Sequence, residues 1–315
     1  MKLQEQVENL FLEQLQNWPL AATNYSGLNK IQTKMVHLSG GAEIKVQFNP
    51  ERIRSSAAKV DVKSIAERAC FLCSENRPKE QSGVGFLEDY TILVNPFPIF
   101  QKHLTVPLNK HSNQEIKPYF SSMLSLAKSL PDYTIFYNGP KCGASAPDHF
   151  HFQAGNKGLL PLEVDFENKE FTHLQKDVEG VNIYNWEAYN RGLISLESSS
   201  ESALQKVFDL IYDSLLKRSS EALEPMLNIL AYSKGEKWVV HIFPRMKHRP
   251  SCYFKEGNEQ LLISPASVDM GGVFIMPRKE DFDKITDLEI ESILNEVCLS
   301  EKECAQIISE VSNVI

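Results

Sequence analysis

The order of apolar and polar positions along the chain predicts helices that alternate with pairs of β-strands. An amphipathic helix is expected over residues 3–17, where apolar side chains recur three or four positions apart at Leu3, Val7, Leu10, Phe11 and Leu15. Strand pairs are expected where two short apolar or alternating runs flank a turn, at residues 31–38 with 43–48, 84–94 with 99–107, and 226–233 with 237–243. Further helices are expected at residues 113–130, 201–218, 279–296 and 300–313.

The same succession of elements occurs twice, which predicts two related halves. Single buried strands are expected at residues 133–138 and 149–154, whereas residues 155–200 show a less regular pattern. A similar series of strands and helices follows that stretch. We therefore expect an α+β fold with an N-terminal half over residues 1–175 and a C-terminal half over residues 176–315. No Pro- or Ser-rich linker separates the halves, so they should share a sheet or an interface.

Composition and charge exclude several classes of partner. The chain has 315 residues, of which 42% are hydrophobic and 23% are charged, as in an ordinary globular protein. Its net charge of −8 opposes binding to a phosphate backbone, so no nucleic-acid partner is expected. No run of about 18 apolar residues occurs, so no membrane partner is expected either. An acidic start without an apolar signal core, together with only six cysteines, favours a reducing cytoplasm.

Cys70 and Cys73 are the first candidates for chemistry. Two cysteines separated by two residues can turn both sulfur atoms toward one metal ion. The same spacing occurs in redox pairs, although a thioredoxin-like pair would open a helix in a βαβ unit, and that context is missing here. Buried thiols without a ligand are the third interpretation. The residues alone leave a metal site and a site without metal equally open.

His149, His151 and Gln153 alternate with Phe150 and Phe152 along the sequence. Successive side chains of an extended strand point to opposite faces, so the two imidazoles and the amide should share one face. The two aromatic rings should then pack into a core on the other face. Stability alone does not favour such a polar set, which therefore indicates a functional site. An ordinary exposed strand face is the alternative.

The loop over residues 138–147 is rich in small residues and contains Asn138, Lys141 and Ser145. Small residues allow a ligand to approach the backbone closely. Free N–H groups and a hydroxyl can hold phosphate oxygens. Because the loop lies directly before His149 and His151, we expect it to contribute to the same site.

A cluster of cations follows the last predicted strand pair of this acidic chain. Arg245, Lys247 and Arg249 occur without an acidic residue between them. Such a cluster suits an anionic small substrate, and a solvated end of a charged strand explains the composition equally well. By contrast, we expect His103 and His241 to support the structure rather than to react.

Three segments resemble the transferase branch of the histidine-triad superfamily. The triplet of His149, His151 and Gln153 resembles the His-x-His-x-Gln motif of that branch. Residues 103–111 (HLTVPLNKH) resemble its strand that ends in proline and a later histidine, and residues 263–272 resemble the closing segment of GDP-L-galactose phosphorylases. The branch also contains galactose-1-phosphate uridylyltransferases and diadenosine tetraphosphate phosphorylases. The resemblance implies two histidine-triad-like halves, with an antiparallel sheet and flanking helices.

The resemblance also implies a structural zinc site. In the uridylyltransferases that contain zinc, two cysteines, the later histidine and the first histidine of the triplet hold the metal. The corresponding ligands in this chain are Cys70, Cys73, His111 and His149. Plant GDP-L-galactose phosphorylases lack the cysteine pair, so this chain combines features of two branches.

Nucleotidyl transfer through a covalent intermediate is the activity that the resemblance implies. His151 would attack the α-phosphorus as a neutral imidazole, while its other ring nitrogen donates to a backbone carbonyl. Gln153 would hold a non-bridging phosphate oxygen without acting as an acid or base, which favours transfer over hydrolysis. The implied substrate contacts are Asn95, Asn138, Lys141, Ser145, Arg245, Lys247 and Arg249.

The expected donor is a nucleoside-diphosphate hexose, with GDP-hexose first, and the expected acceptor is phosphate or a sugar 1-phosphate. A hexose-1-phosphate uridylyltransferase and a dinucleoside polyphosphate phosphorylase are the alternatives within this class. A nucleotide-binding zinc protein without activity is the alternative from another class. Relatives often pair, so a homodimer is compatible with the resemblance.

Overall fold

The computed structural model describes residues 2–52, 62–221 and 223–314. The first part of the chain contains α1 (Leu3–Asn17), α2 (Pro19–Gly27), β1 (Gln32–His37), β2 (Glu43–Phe48), α3 (Val62–Glu67), β3 (Gly83–Phe86), β4 (Tyr90–Val94), β5 (His103–Pro107), α4 (Phe120–Ser129), β6 (Tyr133–Asn138) and β7 (His151–Asn156). The second part contains α5 (Pro161–Asn168), β8 (Thr172–Val178), β9 (Val181–Trp186), β10 (Ile194–Ser198), α6 (Glu201–Arg218), β11 (Leu227–Lys234), β12 (Lys237–Pro244), α7 (Ser267–Met270), β13 (Val273–Met276), α8 (Lys279–Lys284), α9 (Asp287–Val297) and α10 (Glu301–Ser312). None of the helices in these described ranges has the length and apolarity that a membrane crossing demands.

Ten strands form one antiparallel sheet in the order β3-β4-β5-β7-β6-β11-β12-β10-β9-β8. Each half of the sheet is built from a hairpin, a third strand, a helix and two further strands, in that order along the chain. α4 and α6 occupy equivalent positions in the two halves. The halves join where β6 pairs with β11, from Ile135 opposite Ala231 to Asn138 opposite Asn228. The expected α+β fold with two related halves and an antiparallel sheet is therefore confirmed. The predicted division between residues 175 and 176 falls inside β8 and stays a prediction.

Helices cover one face of this sheet. α4 packs on β6 and β11, α6 packs on β9 and β10, and α1 packs on β3 and β4. Phe120 of α4 stacks on Phe208 of α6, with ring centroids 3.9 Å apart. Phe150 and Phe152 are fully buried in the same core, so their expected packing away from the polar residues is confirmed. Burial of such aromatic area is the main source of stability for this layer.

The opposite face of the sheet is covered differently over the two halves. Over the C-terminal half, β1, β2 and β13 form a three-stranded sheet against which α5, α7 and α8 pack. A second core fills the space beneath it with large side chains, among them Phe166, Trp186, Tyr189 and Phe243. Over the N-terminal half, the same face borders a cleft in front of β5, β6 and β7.

Most helices and strands lie where the sequence pattern predicts them, and the differences have local causes. α1 and α6 coincide with their predictions at 3–17 and 201–218. α4 begins only at Phe120, because Pro118 lies in a short 3₁₀ turn and lacks the N–H that an α-helix would use. The helix predicted over 279–296 is two helices, since the Thr286 side chain caps the start of α9.

Two other segments differ from what the pattern indicated. The run over residues 84–94 is a hairpin rather than one strand, and Leu87 makes its turn with a φ of 47°. Residues 155–200, whose pattern is less regular and in which no strand or helix was placed, contain α5 and three strands. Residues 173–177 of β8 are all exposed and every residue of β10 is buried, so neither strand has the alternation that identifies one.

Candidate active site

A cleft of about 560 Å³ lies in front of the N-terminal half of the sheet. Most of one wall is apolar and comes from the start of α2, the segment after Cys70 and the turn after β4, with side chains Trp18, Leu20, Phe71, Pro78 and Phe97. Polar side chains of the lining come from the sheet and from C-terminal segments, namely Thr105, Asn138, His151, Gln153, His248, Arg249 and Ser267. A cleft of this kind suits a ligand that combines a ring system with anionic groups.

His151 lies at the start of β7 and lines the cleft. Its Nδ1 is 2.8 Å from the carbonyl oxygen of His149. Because a carbonyl only accepts, Nδ1 carries the proton and Nε2 keeps its lone pair. Burial, together with the charge of the neighbouring His149, lowers the pKa of His151 to about 4, against the raising effects of the backbone hydrogen bond and of Asp148. The imidazole is therefore neutral at physiological pH.

Gln114 fixes the position of His151 where the ladder between β6 and β7 ends. The last pair of that ladder joins Phe136 to Gln153. Beyond it, the Nε2 of Gln114 donates to the carbonyl oxygens of Asn138 and His151, both at 3.0 Å. Its Oε1 accepts from the N–H of His151 at 2.8 Å. One buried amide thus replaces the missing ladder bonds, and nothing in the sequence pattern marks it.

His103 sets the orientation of Gln153. The Nδ1 of His103 accepts from the backbone N–H of Ile99 at 3.2 Å, so its Nε2 carries the proton and donates to the Oε1 of Gln153 at 2.9 Å. Burial and the charge of Arg52 lower the pKa of His103 to about 3, which keeps it a neutral donor. With its oxygen engaged in this way, Gln153 has its NH₂ group left for the cleft. His103 thus has the supporting place expected for it.

Asn95 lines the cleft but has both ends of its amide engaged. Its Oδ1 accepts from the N–H of Phe97 and its Nδ2 donates to the hydroxyl oxygen of Thr105, both at 2.9 Å. The hydroxyl proton of Thr105 is then left for the cleft. The structure therefore places Asn95 as support for the wall and adds Thr105, which the sequence did not single out.

The loop between β6 and β7 brings Ser145 to the cleft. Gly143 has a φ of 95°, and a Cβ at this position would lie 2.6 Å from the Cβ of Ala266. Only glycine satisfies both conditions. The small residue here serves close packing on the segment before α7, rather than the approach of a ligand to the loop backbone.

Cys70, Cys73, His111 and His149 come together beside the cleft, as the resemblance implies. Their ligand atoms all lie within 4.8 Å of one another. The Nε2 of His149 lies 2.8 Å from the carbonyl oxygen of Leu108, so Nδ1 keeps the lone pair and faces the sulfur of Cys70 at 3.2 Å. The Nδ1 of His111 faces Cys73, also at 3.2 Å.

This donor set fits one divalent metal ion. Two sulfurs and two imidazole nitrogens from separate segments are the usual tetrahedral ligands of structural zinc. Burial opposes ionisation of Cys70, but the contact with His149 and hydrogen bonds from the backbone N–H groups of Leu72 and Cys73 outweigh it and lower its pKa to about 6. A thiolate is the form that binds metal.

Asp148 and Arg68 connect the metal cluster to the cleft. The Oδ2 of Asp148 lies 3.8 Å from the Nε2 of His111, and its Oδ1 accepts from Arg68 at 2.7 Å. Arg68 also lines the cleft and lies over the ring of Phe71. Carboxylates beside metal-ligating histidines hold the ring in place. Arg68 was missed because it lies just before the cysteine pair, in a stretch without a regular pattern.

Among Arg245, Lys247 and Arg249, the cation that lines the cleft is Arg249. Its Nε donates to the hydroxyl of Ser264 at 3.1 Å, and its guanidinium lies over the ring of Tyr253. The neighbouring His248 lies 3.4 Å from the same hydroxyl. Burial lowers the pKa of His248 to about 4, and the charges of Arg249 and Arg245 add to this effect.

Three other predicted contacts lie away from the cleft that the described residues form. Lys141 is exposed and pairs with Glu221 at 2.7 Å, and Lys247 is exposed and pairs with Glu296 at 2.8 Å. Their side chains extend outward because carboxylates are available at the surface. Arg245 is buried, and its guanidinium donates to protein oxygens. The sequence showed the three cations, but not the acids that pair with the two lysines or the neutral oxygens that hold Arg245.

Ser267 and Asp269 also line the cleft, and no role for either residue was predicted from the sequence. Asp269 accepts from the N–H groups of Ala266 and Ile275, and burial raises its pKa to about 6. The Oγ of Ser267 is buried without a hydrogen-bond partner among the described residues. Both belong to the 263–272 segment, whose resemblance to a closing segment was the available signal.

Two family models together match most of the chain. Residues 165–315 match the family described as GDPGP1-like, C-terminal domain. Residues 10–156 match a domain of unknown function, DUF4922. No curated protein sequence matches this chain.

Solved structures share the fold along most of the chain. Yeast Ap4A phosphorylase Apa2 is 17% identical with a TM-score of 0.62, and the match covers 89% of this chain and 96% of that chain. Its complex with AMP gives a TM-score of 0.58 at 16% identity, covering 90% and 96%. Its complex with Ap4A gives 0.55 at 17% identity, covering 89% and 96%. The C-terminal part of the chain thus matches the GDPGP1-like, C-terminal domain model, and most of the chain shares the fold of the yeast Ap4A phosphorylase.

Proposed function

We propose that this protein transfers a nucleoside monophosphate group from a nucleoside-diphosphate hexose to phosphate, through a covalent intermediate on His151. The observation that carries the proposal is the hydrogen bond from Nδ1 of His151 to the carbonyl oxygen of His149. It leaves an unprotonated nitrogen on a residue that lines the cleft. A neutral imidazole with a fixed tautomer is a competent nucleophile at neutral pH.

In the first step, Nε2 of His151 forms a bond to the α-phosphorus of the donor. The bond from that phosphorus to the bridging oxygen breaks, and its electron pair leaves with hexose 1-phosphate. The imidazole becomes positively charged, and the carbonyl oxygen of His149 stabilises that charge through the Nδ1 proton. In the second step, an oxygen of phosphate attacks the same phosphorus, the N–P bond breaks, and a nucleoside diphosphate leaves.

Three side chains present donors where phosphate charge would lie. Gln153 has its oxygen on His103, which leaves its NH₂ group for a non-bridging oxygen. Thr105 has its hydroxyl proton left, and Arg249 lines the cleft with its guanidinium. Donors that are already oriented cost no reorganisation as charge develops on the transferred group. We assign Asn138 and Ser145 to the same phosphate-binding wall.

The choice of donor rests on the C-terminal half and on the cleft. The GDPGP1-like match favours a GDP-hexose. The apolar wall with Trp18, Phe71 and Phe97 offers a surface on which a flat base can pack. A nucleotide as ligand is also consistent with the fold that this chain shares with the yeast phosphorylase solved in complex with AMP. A hexose 1-phosphate or a second nucleotide would then extend toward Arg249.

Cys70, Cys73, His111 and His149 would hold zinc as a structural ion. Their part in the reaction is indirect, because His149 also supplies the carbonyl that fixes the tautomer of His151. The ligands come from three separate segments of the chain, so a closed site fixes the backbone that carries the nucleophile.

The test is a screen of GDP-, UDP- and ADP-glucose and of Ap4A, each with phosphate or a hexose 1-phosphate as acceptor. We expect GDP and hexose 1-phosphate from the GDP-hexose with phosphate, and no turnover by His151→Ala. Preference for UDP-glucose with a hexose 1-phosphate, or for Ap4A with phosphate, would replace the proposed substrate but keep the chemistry. Equal turnover by wild type and His151→Ala would overturn the proposal.

A further inference from the structure

We propose that Asn228 and Arg245 are positioning residues that aim the amide of Asn138 at the phosphate group in the cleft. The inference rests on the proposed function and extends it to the C-terminal half of the chain. Asn228 lies on β11, directly opposite Asn138 on β6, at the junction between the halves. Asn138 lines the cleft, whereas Asn228 is fully buried behind it.

The orientation of the Asn228 amide is fixed at both ends by groups of unambiguous type. Its Nδ2 lies 2.7 Å from the carbonyl oxygen of Cys142, which can only accept. Its Oδ1 accepts from the guanidinium of Arg245, which can only donate. The amide of Asn228 therefore has one orientation, with its second N–H directed at Asn138.

Arg245 is itself held rigidly. It is 5% exposed, and its guanidinium also donates to four backbone carbonyls, of Lys247, His248, Pro265 and Val297. Three of these carbonyls lie in the segments that carry His248 and Arg249 on one side and Ser267 on the other, and that of Val297 lies at the end of α9. The single buried guanidinium thus ties the C-terminal wall of the cleft to Asn228.

The orientation of Asn138 follows from this arrangement. Its Oδ1 accepts from Nδ2 of Asn228 and from the backbone N–H of Ser267, both at 2.8 Å. Two donors at one atom identify that atom as the oxygen. The NH₂ group of Asn138 is then left for the cleft, with no acceptor recorded among the described residues. Without Asn228, the amide could turn over and present an oxygen to an anionic phosphate.

The decisive variant is Asn228→Asp, which keeps the shape of the side chain and its acceptor for Arg245 but removes both N–H groups. We expect it to weaken binding of GMP, AMP or UMP, whichever the wild type binds best, by about tenfold, since a hydrogen bond to a charged group is lost. Binding of the corresponding nucleoside should not change. Thermal unfolding of the variant checks that it folds.

A double-mutant cycle separates positioning from a general effect of the new charge. In an Asn138→Ala background, Asn228→Asp should change the binding of the nucleotide by less than about twofold, because the amide that it orients is gone. An equal loss in both backgrounds would overturn the proposal, and so would no loss in the wild-type background.

A second measurement does not depend on nucleotide binding. The side-chain NH₂ signals of Asn138 in a ¹⁵N spectrum, assigned by their absence in Asn138→Ala, should shift in Asn228→Asp. Unchanged signals would overturn the proposed positioning even if nucleotides bind. Failure of the wild type to bind any nucleotide would instead refute the proposed function, and the shift would still test the positioning.

Discussion

At the scale of the residue, backbone groups decide which atom of each key side chain is reactive. The carbonyl of His149 places a proton on Nδ1 of His151, and the N–H of Ile99 places one on Nε2 of His103. The carbonyl of Leu108 does the same for Nε2 of His149. Three imidazoles in one site thus have protonation patterns that suit the three roles we propose for them, as nucleophile, donor and metal ligand.

Gln153→Glu tests the donor that His103 orients. The new carboxylate still accepts from His103 but presents an anion to the phosphate instead of an NH₂ group. We expect kcat/KM for the best donor of the screen to fall by about 10²- to 10³-fold, as on loss of an oxyanion donor. Steady-state kinetics measure it, and a fall of less than tenfold would show that Gln153 does not contact the transferred group.

Arg249→Ala and Lys247→Ala form a matched pair from one segment. Only Arg249 lines the cleft, because Lys247 pairs with Glu296 at the surface. We expect Arg249→Ala to lower kcat/KM by about 10- to 100-fold, the effect of a lost charged hydrogen bond, and Lys247→Ala to leave it nearly unchanged. Similar losses for both would indicate a diffuse effect of charge instead of a contact.

At the scale of the element, the site depends on where strands and loops end. The ladder of β6 and β7 stops before His151, and Gln114 completes it. The metal cluster joins the segment of Cys70 and Cys73 to the ends of two other segments. A bound ion would therefore stabilise the backbone beside His151, and not only the loop that carries the thiols.

Metal removal tests this dependence. Chelation should lower Tm by about 5 °C or more, because binding free energy of the ion contributes directly to folding. Cys73→Ser should lose the metal, measured by atomic emission, whereas Cys252→Ser should retain it, since Cys252 lies outside the cluster. A purified chain without zinc whose Tm resists chelation would refute the metal site.

The sequence allowed the reactive residues to be predicted where they lie in one short segment. It did not show the residues that hold them in place from distant parts of the chain. The alternation around His151 and Gln153 was readable because a strand has a period of two. Gln114 and Asn228 act through partners that are 37 and 90 positions distant, a pairing that no local pattern contains. A supporting role was expected for His103, but not its partner Gln153, which is 50 positions away. Among the cations, the acids that hold Lys141 and Lys247 outward likewise come from distant segments.

At the scale of the whole molecule, one sheet with a repeated order of strands carries two faces with different uses. In the C-terminal half, aromatic side chains fill the face that borders the cleft in the N-terminal half. The C-terminal half instead supplies Arg249 and Ser267 to the cleft wall. We therefore predict that the C-terminal half supports the cleft wall and contacts the substrate. The proposed nucleophile, His151, lies in the N-terminal half.

Glu224 makes the stability of the fold depend on pH. It accepts from the hydroxyl of Tyr137 and from the N–H of Ile116, and burial raises its pKa to about 8. A carboxyl group whose pKa is raised on folding stabilises the fold below its unfolded value, near 4.5, and loses that contribution as pH rises through 8.

Glu224→Gln should remove that dependence. Between pH 5 and pH 9, the free energy of unfolding should fall more steeply for the wild type than for the variant, by on the order of 3 to 5 kcal/mol. Urea unfolding at several pH values measures the difference. Parallel pH profiles for the two proteins would show that Glu224 ionises in the fold as it does in water.

The central claim is the covalent bond to His151, and the mass of the protein after brief exposure to the donor, without acceptor, tests it most directly. The account predicts one added nucleoside monophosphate, located on the peptide that contains His151, labile to acid and discharged on addition of phosphate. His151→Ala should acquire none. Turnover by the wild type without any adduct, or an adduct on another residue that persists in His151→Ala, would contradict it.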